Sequence, residues 1–280
     1  MEIHVAMVKV EIVDTAFSHA PGMSWYNIPS HINWARGTCG EIDTCFFTDR
    51  CIGQAAVHPA KKKIALLIEP RCVDDVGLRS VLNNIDRFDH VLSYDRSYKE
   101  FIPQPGKLLW YPIGGCWIEE QSRTLKRDKT RLVSLIASQK NWAPGHKLRH
   151  VAAKEFGNKM DLWGRAYKAM AFKSEALSPY MFSVAIENDI VDDMFTEKLI
   201  DCFITGTVPI YWGTSSISRF FQMDGVLTFR TIEELRAIVD KLSPELYASM
   251  RPAVVNNFYR ALQYRIAEDW IFIHYPTLFI

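Results

Sequence analysis

Short apolar runs alternate along this chain with longer stretches of mixed character, and polar residues are concentrated where the two meet. Runs of this kind are typical of parallel strands covered on both faces, and the stretches between them predict helices. Alternation without a repeat period predicts an α/β fold with a parallel, doubly wound sheet in each half. Strands are predicted near residues 3–13, 42–48, 64–69, 89–94, 108–111, 131–137, 159–163, 182–186, 208–212 and 226–229.

Composition changes along the chain predict two domains, for which 280 residues is sufficient length. A first α/β domain is expected over residues 1–120, and a polar, charged linker over 121–130. A second domain is expected over 131–245, followed by an aromatic-rich helical tail over 246–280.

The clearest unit lies between residues 180 and 213 and predicts strand, loop, helix and strand. Phe182 to Ile186 and Val208 to Trp212 are the two strands. Thr196 is a favourable N-cap, and Gly206 suits the position just past the helix end. Ligands of such βαβ units bind beyond the carboxyl ends of the strands. The polar residues of this unit lie there.

Those polar residues have a chemistry suited to a phosphorylated sugar. A helix N-terminus attracts phosphate, and Lys198 adds a positive charge to the first turn. Glu197 suits a ribose diol, while Glu187 and Asn188 are able to hydrogen-bond sugar hydroxyls. An ordinary helix start with a solvated Glu-Lys pair is the alternative. The recurrence of the full spacing within one unit favours a binding site.

Three motifs together resemble the donor-binding signature of the α1,3/4-fucosyltransferase family. They are E-N at 187–188, T-E-K-L at 196–199 and G-x-V-P-I-Y-W-G at 206–213. The resemblance implies the GT-B fold, with two Rossmann-like domains facing a cleft and a C-terminal helix packing back on the first domain. It also implies an inverting glycosyltransferase that uses a nucleotide-sugar donor and an oligosaccharide acceptor.

Roles for single residues follow from the same resemblance. Lys198 matches the lysine that contacts the donor diphosphate, and Glu197 matches the glutamate that contacts ribose. Glu187 and Asn188 match the pair near the transferred sugar, and the N-cap Thr196 completes the motif.

Two further residues are assigned with support from upstream segments. Arg149 matches an arginine that helps to hold the diphosphate, for which a guanidinium is well suited. A solvated arginine on the helix surface is the alternative. Glu69 ends an apolar strand, precedes Pro70, and matches the proposed general base. A capping role or a salt bridge near Arg71 is its alternative. Other candidates for the base are Asp14, His19 and Asp95.

Departures from the family pattern bear on the donor. Ile186 and Met194 stand where the family usually has aromatic residues, and the loop between them is acidic. In size and layout the chain resembles the chlorovirus β-xylosyltransferases that build capsid glycans. UDP-xylose is therefore the predicted donor, with a fucose-containing N-glycan as acceptor. GDP-fucose is the first alternative, and a catalytically inactive protein that binds glycans or nucleotide-sugars is the second.

Composition restricts the partners and the location. The chain is 48% apolar and 23% charged, as expected of a globular protein, and a net charge of +1 gives no reason to expect nucleic acid. Neither a signal peptide nor eighteen consecutive apolar residues is visible, so a cytoplasmic protein without a membrane span is expected.

Neither a metal nor a disulfide is expected. The six cysteines include no C-x-x-C pair, and the even spacing of Cys39, Cys45 and Cys51 is interpreted as coincidence. No Asp-x-Asp motif is present. Lys198, Arg149 and a helix dipole are able to neutralise a leaving diphosphate, so metal-independent transfer is predicted.

Overall fold

The computed structural model describes residues 7–15, 17, 21–24, 26–126 and 128–279, and every strand pairing within them is parallel. The first sheet has the order β2-β1-β3-β4-β5-β6. Its elements are β1 (Val8–Val13), β2 (Ile32–Ala35), β3 (Thr44–Thr48), β4 (Lys62–Leu66), α1 (Val76–Asn83), β5 (His90–Ser93) and β6 (Leu108–Trp110).

The second sheet has the order β11-β10-β9-β7-β8, and helices connect several of its strands. Its strands are β7 (Arg131–Ile136), β8 (Asp161–Trp163), β9 (Tyr180–Ile186), β10 (Val208–Trp212) and β11 (Leu227–Thr228). The helices of this half are α2 (Pro144–Phe156), α3 (Glu197–Ile204), α4 (Ile232–Val239) and α5 (Pro244–Leu262), and α6 (Ala267–His274) follows them.

The predicted α/β class and both parallel sheets are confirmed, with one strand missed. Strand β2 has only four residues, and just Ile32 and Trp34 of it are buried, so its apolar signal is weak. The strand predicted near 3–13 is present from Val8, and residues 3–6 lie outside the described part of the chain.

Strand β9 shows why short apolar runs identify this sheet. Phe182, Val184 and Ile186 belong to the core on one face, and Ala185 belongs to the core on the other. A strand buried on both faces requires apolar side chains at successive positions. The carboxyl end of β9 is therefore the first place where the chain can present polar groups.

The chain divides into two compact units, whose limits differ from the expected domains. One unit contains the described residues up to Gly115 together with those from Ile266 onward, and the other runs from Cys116 to Arg265. The segment 121–130 lies inside the second unit. The segment expected as a tail, 246–280, is shared between the two units.

Packing explains how this C-terminal segment is shared. Met250 and Val254 of α5 belong to the same core as β9 and β10, so α5 is part of the second unit. Ala267 and Ile271 of α6 pack in the core of the first sheet. The chain therefore returns to the first unit after α5. None of the helices in the described segments combines the length and apolar character needed to span a bilayer.

Candidate functional site

The carboxyl end of β9 is joined to α3 by a buried carboxylate. Glu187 has no exposed surface, and its oxygens accept hydrogen bonds from the Thr196 backbone nitrogen at 2.8 Å and the Thr196 Oγ1 at 2.7 Å. Thr196 is the predicted N-cap of α3. Its Oγ1 accepts a hydrogen bond from the Lys198 backbone nitrogen at 3.4 Å. Glu187 therefore lies beneath the helix start and holds it against the strand.

Lys198 lies in the first turn of α3, and its ammonium group is surrounded by acceptor oxygens. Its Nζ lies 3.0 Å from Thr196 Oγ1, 3.1 Å from Glu197 Oε1 and 3.6 Å from Glu187 Oε2. The side chain is 21% exposed and so remains within reach of a ligand. The helix N-terminus and this lysine together form a place for an anion.

Glu197 is ionised because two lysines flank it. Burial alone would raise the pKa of Glu197, but the charges of Lys198 and Lys173 outweigh burial and lower this pKa to about 2. Lys173 Nζ lies 4.0 Å from Glu197 Oε1 and 2.6 Å from Asp201 Oδ2. The carboxylate of Glu197 is therefore an acceptor at all ordinary pH values.

Lys173 belongs to the site although the sequence analysis did not identify it. It comes from a 3-10 helix, and its ammonium lies 5.6 Å from the centre of the Trp117 ring. Asp201 has no exposed surface, and its second oxygen accepts the Trp117 backbone N–H at 2.8 Å. Lys173 thus joins the start of α3 to the segment around Trp117.

Replacing Lys173 with methionine should destabilise the second unit by about 2 kcal/mol, because the carboxylate of Asp201 then stays buried without its cation. Urea denaturation would measure the loss. Lys173→Arg preserves the charge and should lose less than Lys173→Met. Equal losses in the two variants would show that packing, and not charge, decides the stability here.

Arg149 reaches the same end of β9 from α2. Its Nε and Nη2 donate to the Ile186 carbonyl oxygen at 3.1 and 2.5 Å, and Nη2 also donates to Asn188 Oδ1 at 2.9 Å. The side chain is buried, so the alternative of a solvated surface arginine is wrong. Burial lowers the pKa of Arg149, while nearby carboxylates oppose this change.

The first turn of α2 touches the end of β9 directly. Gly145 donates its backbone N–H to the Asn188 carbonyl oxygen at 3.0 Å. A Cβ atom at Gly145 would lie 1.7 Å from the Glu187 carbonyl oxygen. Two helix N-termini therefore converge on one strand end, which only glycine permits at this position.

The neighbouring imidazole is neutral. Burial lowers the pKa of His146 to about 4, and the positive charges of Arg149, Lys140 and Lys198 act in the same direction. His146 Nδ1 accepts a hydrogen bond from the Ala143 backbone nitrogen at 3.3 Å. The positive charges at the end of β9 therefore come from Arg149 in the second turn of α2 and Lys198 in the first turn of α3, and not from His146.

A solvent-open cavity of about 630 Å³ lies alongside α2 in the second unit. It is lined by Gln139, Asn141, Lys147, His150, Ala166 and Tyr167. Its mixed amide, cationic and aromatic lining is able to hydrogen-bond and stack with a planar ring.

The structure brings together the six predicted residues of the second half and places the predicted base in the other unit. Arg149, Glu187, Asn188, Thr196, Glu197 and Lys198 all lie at the end of β9. Glu69 follows β4 in the first unit and is half-buried. The Tyr94 hydroxyl donates to the Glu69 carbonyl oxygen at 3.3 Å.

Of the other candidates for the general base, Asp14 and Asp95 have structural partners, and His19 lies outside the part of the chain that the structure describes. Asp14 forms a salt bridge with Arg36 at 3.1 Å. Asp95 caps a 3-10 helix by accepting the Ser97 backbone N–H at 2.9 Å. His19 lies outside the described residues.

One of the three evenly spaced cysteines lies beside a histidine and a carboxylate. Potential ligand atoms of Glu11, Cys45 and His58 lie within 4.8 Å of one another. His58 Nδ1 accepts the Ala60 backbone N–H at 3.2 Å, and His58 Nε2 lies 3.6 Å from Glu11 Oε1. Glu11 also accepts the backbone N–H groups of Cys39 and Gly40 at 2.8 and 3.0 Å.

Sequence comparison agrees with the geometry of the second unit. Residues 126–250 match the model of the family described as Glycosyltransferase family 10 (fucosyltransferase) C-term. An alpha-(1,4)-fucosyltransferase of Arabidopsis thaliana is 38% identical over 73 residues, 25% of this chain and 18% of that protein. The alpha-(1,3)-fucosyltransferase FucT of Helicobacter pylori is 32% identical over 68 residues, 24% of this chain and 14% of that protein.

The human 4-galactosyl-N-acetylglucosaminide 3-alpha-L-fucosyltransferase FUT6 is similar over a longer segment. The two sequences are 29% identical over 126 residues, which are 42% of this chain and 34% of the human protein. The chain thus spans well under half the length of these curated relatives, and the family model matches a segment that lies within the second unit.

Solved structures show the fold of the whole chain. An α1,3-fucosyltransferase in complex with GDP-fucose aligns over 98% of this chain and 90% of its own, with a TM-score of 0.58 and 15% identity. A structure of an α1,3-fucosyltransferase with GDP aligns over 100% of this chain and 92% of its own, with a TM-score of 0.59 and 14% identity. At this identity the likeness concerns the fold alone, and it confirms the predicted GT-B fold.

Proposed function

We propose that this protein is a glycosyltransferase that transfers fucose from GDP-fucose to a hydroxyl group of a glycan. The observation that carries the proposal is the convergence of two helix N-termini, Lys198 and Arg149 on the end of β9. This arrangement is suited to a diphosphate. It lies within the segment that matches the fucosyltransferase family model.

The choice of GDP-fucose replaces the UDP-xylose that the sequence predicted. No comparison supports a xylosyltransferase or a chlorovirus enzyme, whereas the matched family and relatives are described as fucosyltransferases. The preference for xylose rested on a resemblance in size and layout, and the argument against GDP-fucose rested on Ile186 and Met194. Both are only 1% exposed, so they lie in the core and do not face a donor.

Each residue of the site has a distinct role in this proposal. Lys198 and Arg149 stabilise the departing diphosphate, together with the N–H groups of α3. Glu197 accepts hydrogen bonds from the ribose diol. Asn188 contacts the transferred sugar. Glu187 supports the start of α3 from below, because both of its oxygens are engaged by Thr196.

Glu69 is the proposed general base and deprotonates the acceptor hydroxyl. A single displacement by that hydroxyl inverts the configuration at the anomeric carbon. NMR of the product would decide this point, since retention of configuration excludes a single displacement.

A donor panel tests the proposed function. Thermal shift and donor hydrolysis would be measured with GDP-fucose, GDP-mannose, UDP-xylose, UDP-glucose and UDP-galactose. A ligand that binds the folded state raises its apparent stability, so GDP-fucose should give the largest shift together with slow hydrolysis. A response confined to UDP-xylose would overturn the choice of donor, and binding without turnover would favour an inactive binding protein. Repeating the assay with EDTA tests the predicted metal independence.

Replacing Lys198 with alanine should weaken donor binding by roughly 10- to 100-fold, because one charge-assisted contact to phosphate is lost. Binding of the nucleoside alone should change little. Isothermal titration with GDP and with guanosine would measure both. Lys129→Met is the matched control, since Lys129 Nζ binds the Thr205 carbonyl and Thr207 Oγ1, each at 2.8 Å, at the opposite end of α3. Unchanged GDP affinity in Lys198→Ala would contradict the phosphate assignment.

A further inference from the structure

The cavity alongside α2 has no role in the transfer described above. It has a volume of about 630 Å³, which lies in the range of sites for small molecules, and it belongs to the second unit. Three segments form its walls. The loop between β7 and α2 supplies Gln139 and Asn141, α2 supplies Lys147 and His150, and the segment after β8 supplies Ala166 and Tyr167.

His150 connects the walls of this cavity. Its Nε2 lies 3.0 Å from the Lys140 carbonyl oxygen, and its Nδ1 lies 3.4 Å from the Tyr167 hydroxyl oxygen. The ring therefore links the loop between β7 and α2 to the segment after β8. The cavity is bounded by segments that contact each other through α2, and not by independent surface loops.

The segments that line the cavity carry positive charge and no negative charge. Residues 139–154 and 164–172 contain six lysines and arginines and neither aspartate nor glutamate. The six are Lys140, Lys147, Arg149, Lys154, Arg165 and Lys168. The next acidic residues along the chain, Glu155 and Asp161, form salt bridges with Arg236 and Arg131. A net charge of +1 for the whole chain therefore coexists with a local excess of positive charge, which attracts anions.

Lys147 is the lysine of the lining, and its side chain is exposed. It forms no salt bridge with the acidic residues in the described part of the chain. Other lysines of the two segments contact aromatic rings instead. Lys140 Nζ lies 5.5 Å from the centre of the Trp142 ring. Lys168 Nζ lies 4.1 Å from the centre of the Trp163 ring. The ammonium group of Lys147 is therefore able to bind an anion in the cavity.

The cavity lies on the opposite side of the sheet from the residue assigned to ribose. Ala152 and Phe156 of α2 pack in the core on one face of the sheet. Leu199 and Phe203 of α3 pack in the core on the other face. A donor whose ribose is bound at Glu197 and whose diphosphate lies between the two helix starts therefore directs its sugar toward α2. The cavity beside α2 is on the side of the acceptor.

We propose that this cavity binds a uronic acid of the acceptor glycan. Lys147 binds the sugar carboxylate, the amides of Gln139 and Asn141 hydrogen-bond hydroxyl groups, and the Tyr167 ring packs against the C–H groups of the sugar. A carboxylate, with one negative charge, matches the one lysine of the lining better than a phosphate group does. The inference rests on the proposed function, because the acceptor role requires a donor bound between α2 and α3.

A pair of probes that differ only at C6 of the sugar tests this site. The full-length protein would be saturated with GDP and titrated with methyl β-D-glucuronide and with methyl β-D-glucoside, followed by ligand-observed NMR. The glucuronide should bind roughly fivefold more tightly at low salt, and most of this preference should disappear in about 0.5 M sodium chloride. Equal affinities, or no binding of either probe, overturn the proposal. Displacement of the glucuronide by GDP also overturns it, because the two ligands would then share one site.

Three variants locate the binding of these probes. Lys147→Gln removes the charge and keeps a hydrogen-bond donor, so the preference for the glucuronide should disappear while the affinity for the glucoside changes by less than about twofold. Tyr167→Ala should weaken the binding of both probes. Lys154→Gln is the matched control, since it removes the same charge from the last turn of α2, outside the cavity lining. A preference that survives in Lys147→Gln, or that Lys154→Gln reduces equally, overturns the proposal.

These titrations measure binding and not transfer, which separates this inference from the proposed function. Absence of GDP binding and of transfer with every donor would refute the proposed function. The same titrations without GDP would still decide whether the cavity binds a charged sugar. Binding of GDP together with equal affinities for the two probes would refute the cavity assignment alone.

Discussion

Replacing Gly145 with alanine is expected to destabilise the second unit by about 3 kcal/mol or more. The new Cβ atom would lie 1.7 Å from the Glu187 carbonyl oxygen and 2.8 Å from its carbonyl carbon. Both are main-chain atoms, so no side chain can rotate away. The start of α2 must move away from β9, and the hydrogen bond from Gly145 to the Asn188 carbonyl oxygen is lost with it.

Donor binding should fall together with stability, because the same movement carries Arg149 away from Ile186 and Asn188. Urea denaturation and titration with GDP would measure the two effects. Gly53→Ala is the control, since the nearest atom to its Cβ would be Ser80 Oγ at 4.0 Å. A Gly145→Ala protein as stable as Gly53→Ala would show that α2 and β9 do not meet as described.

Local sequence rules predicted the unit that carries the site. Strand β10 has the predicted limits, and β9 begins two residues earlier than expected, at Tyr180. Thr196 caps α3, and Gly206 follows its end with a φ of +68°. Each of these features depends on neighbours within a few residues, which is why patterns of apolar residues, caps and glycines identify them.

Features that depend on contacts between distant residues were not predicted. Lys173 meets Asp201 from 28 positions away, and no periodicity marks such a pair. Glu187 was expected to contact a sugar, whereas the strand end and α3 enclose it. Asp49 reaches Glu69 from the neighbouring strand of a parallel sheet. Its sequence neighbours give no sign of its positive φ, and the close packing of α1 against it depends on Gly77, which is 28 positions away in the chain.

Asp49→Asn is expected to become more stable than the wild type as the pH rises, by roughly 4 kcal/mol between pH 4 and pH 8. In the wild type the pKa of Asp49 is raised by burial from 3.8 to about 7. Below pH 4 the group is protonated in the folded and unfolded states, and it contributes nothing. Between pH 4 and pH 7 only the unfolded state ionises, which stabilises that state. Above pH 7 the difference is constant, and an asparagine removes it entirely.

Urea denaturation of both proteins at pH 4 and pH 8 would measure this effect, since contributions of all other groups cancel in the double difference. Glu11→Gln should show the opposite sign. Burial alone would raise the pKa of Glu11, but hydrogen bonds from the backbone N–H groups of Gly40 and Cys39, together with other polar groups around the carboxylate, outweigh it and lower this pKa. Ionised Glu11 therefore stabilises the fold above pH 4.5, so its variant should lose stability relative to the wild type as the pH rises. A gap between Asp49→Asn and the wild type that is the same at both pH values would show that Asp49 is ionised in the folded protein, as an ordinary surface carboxylate is.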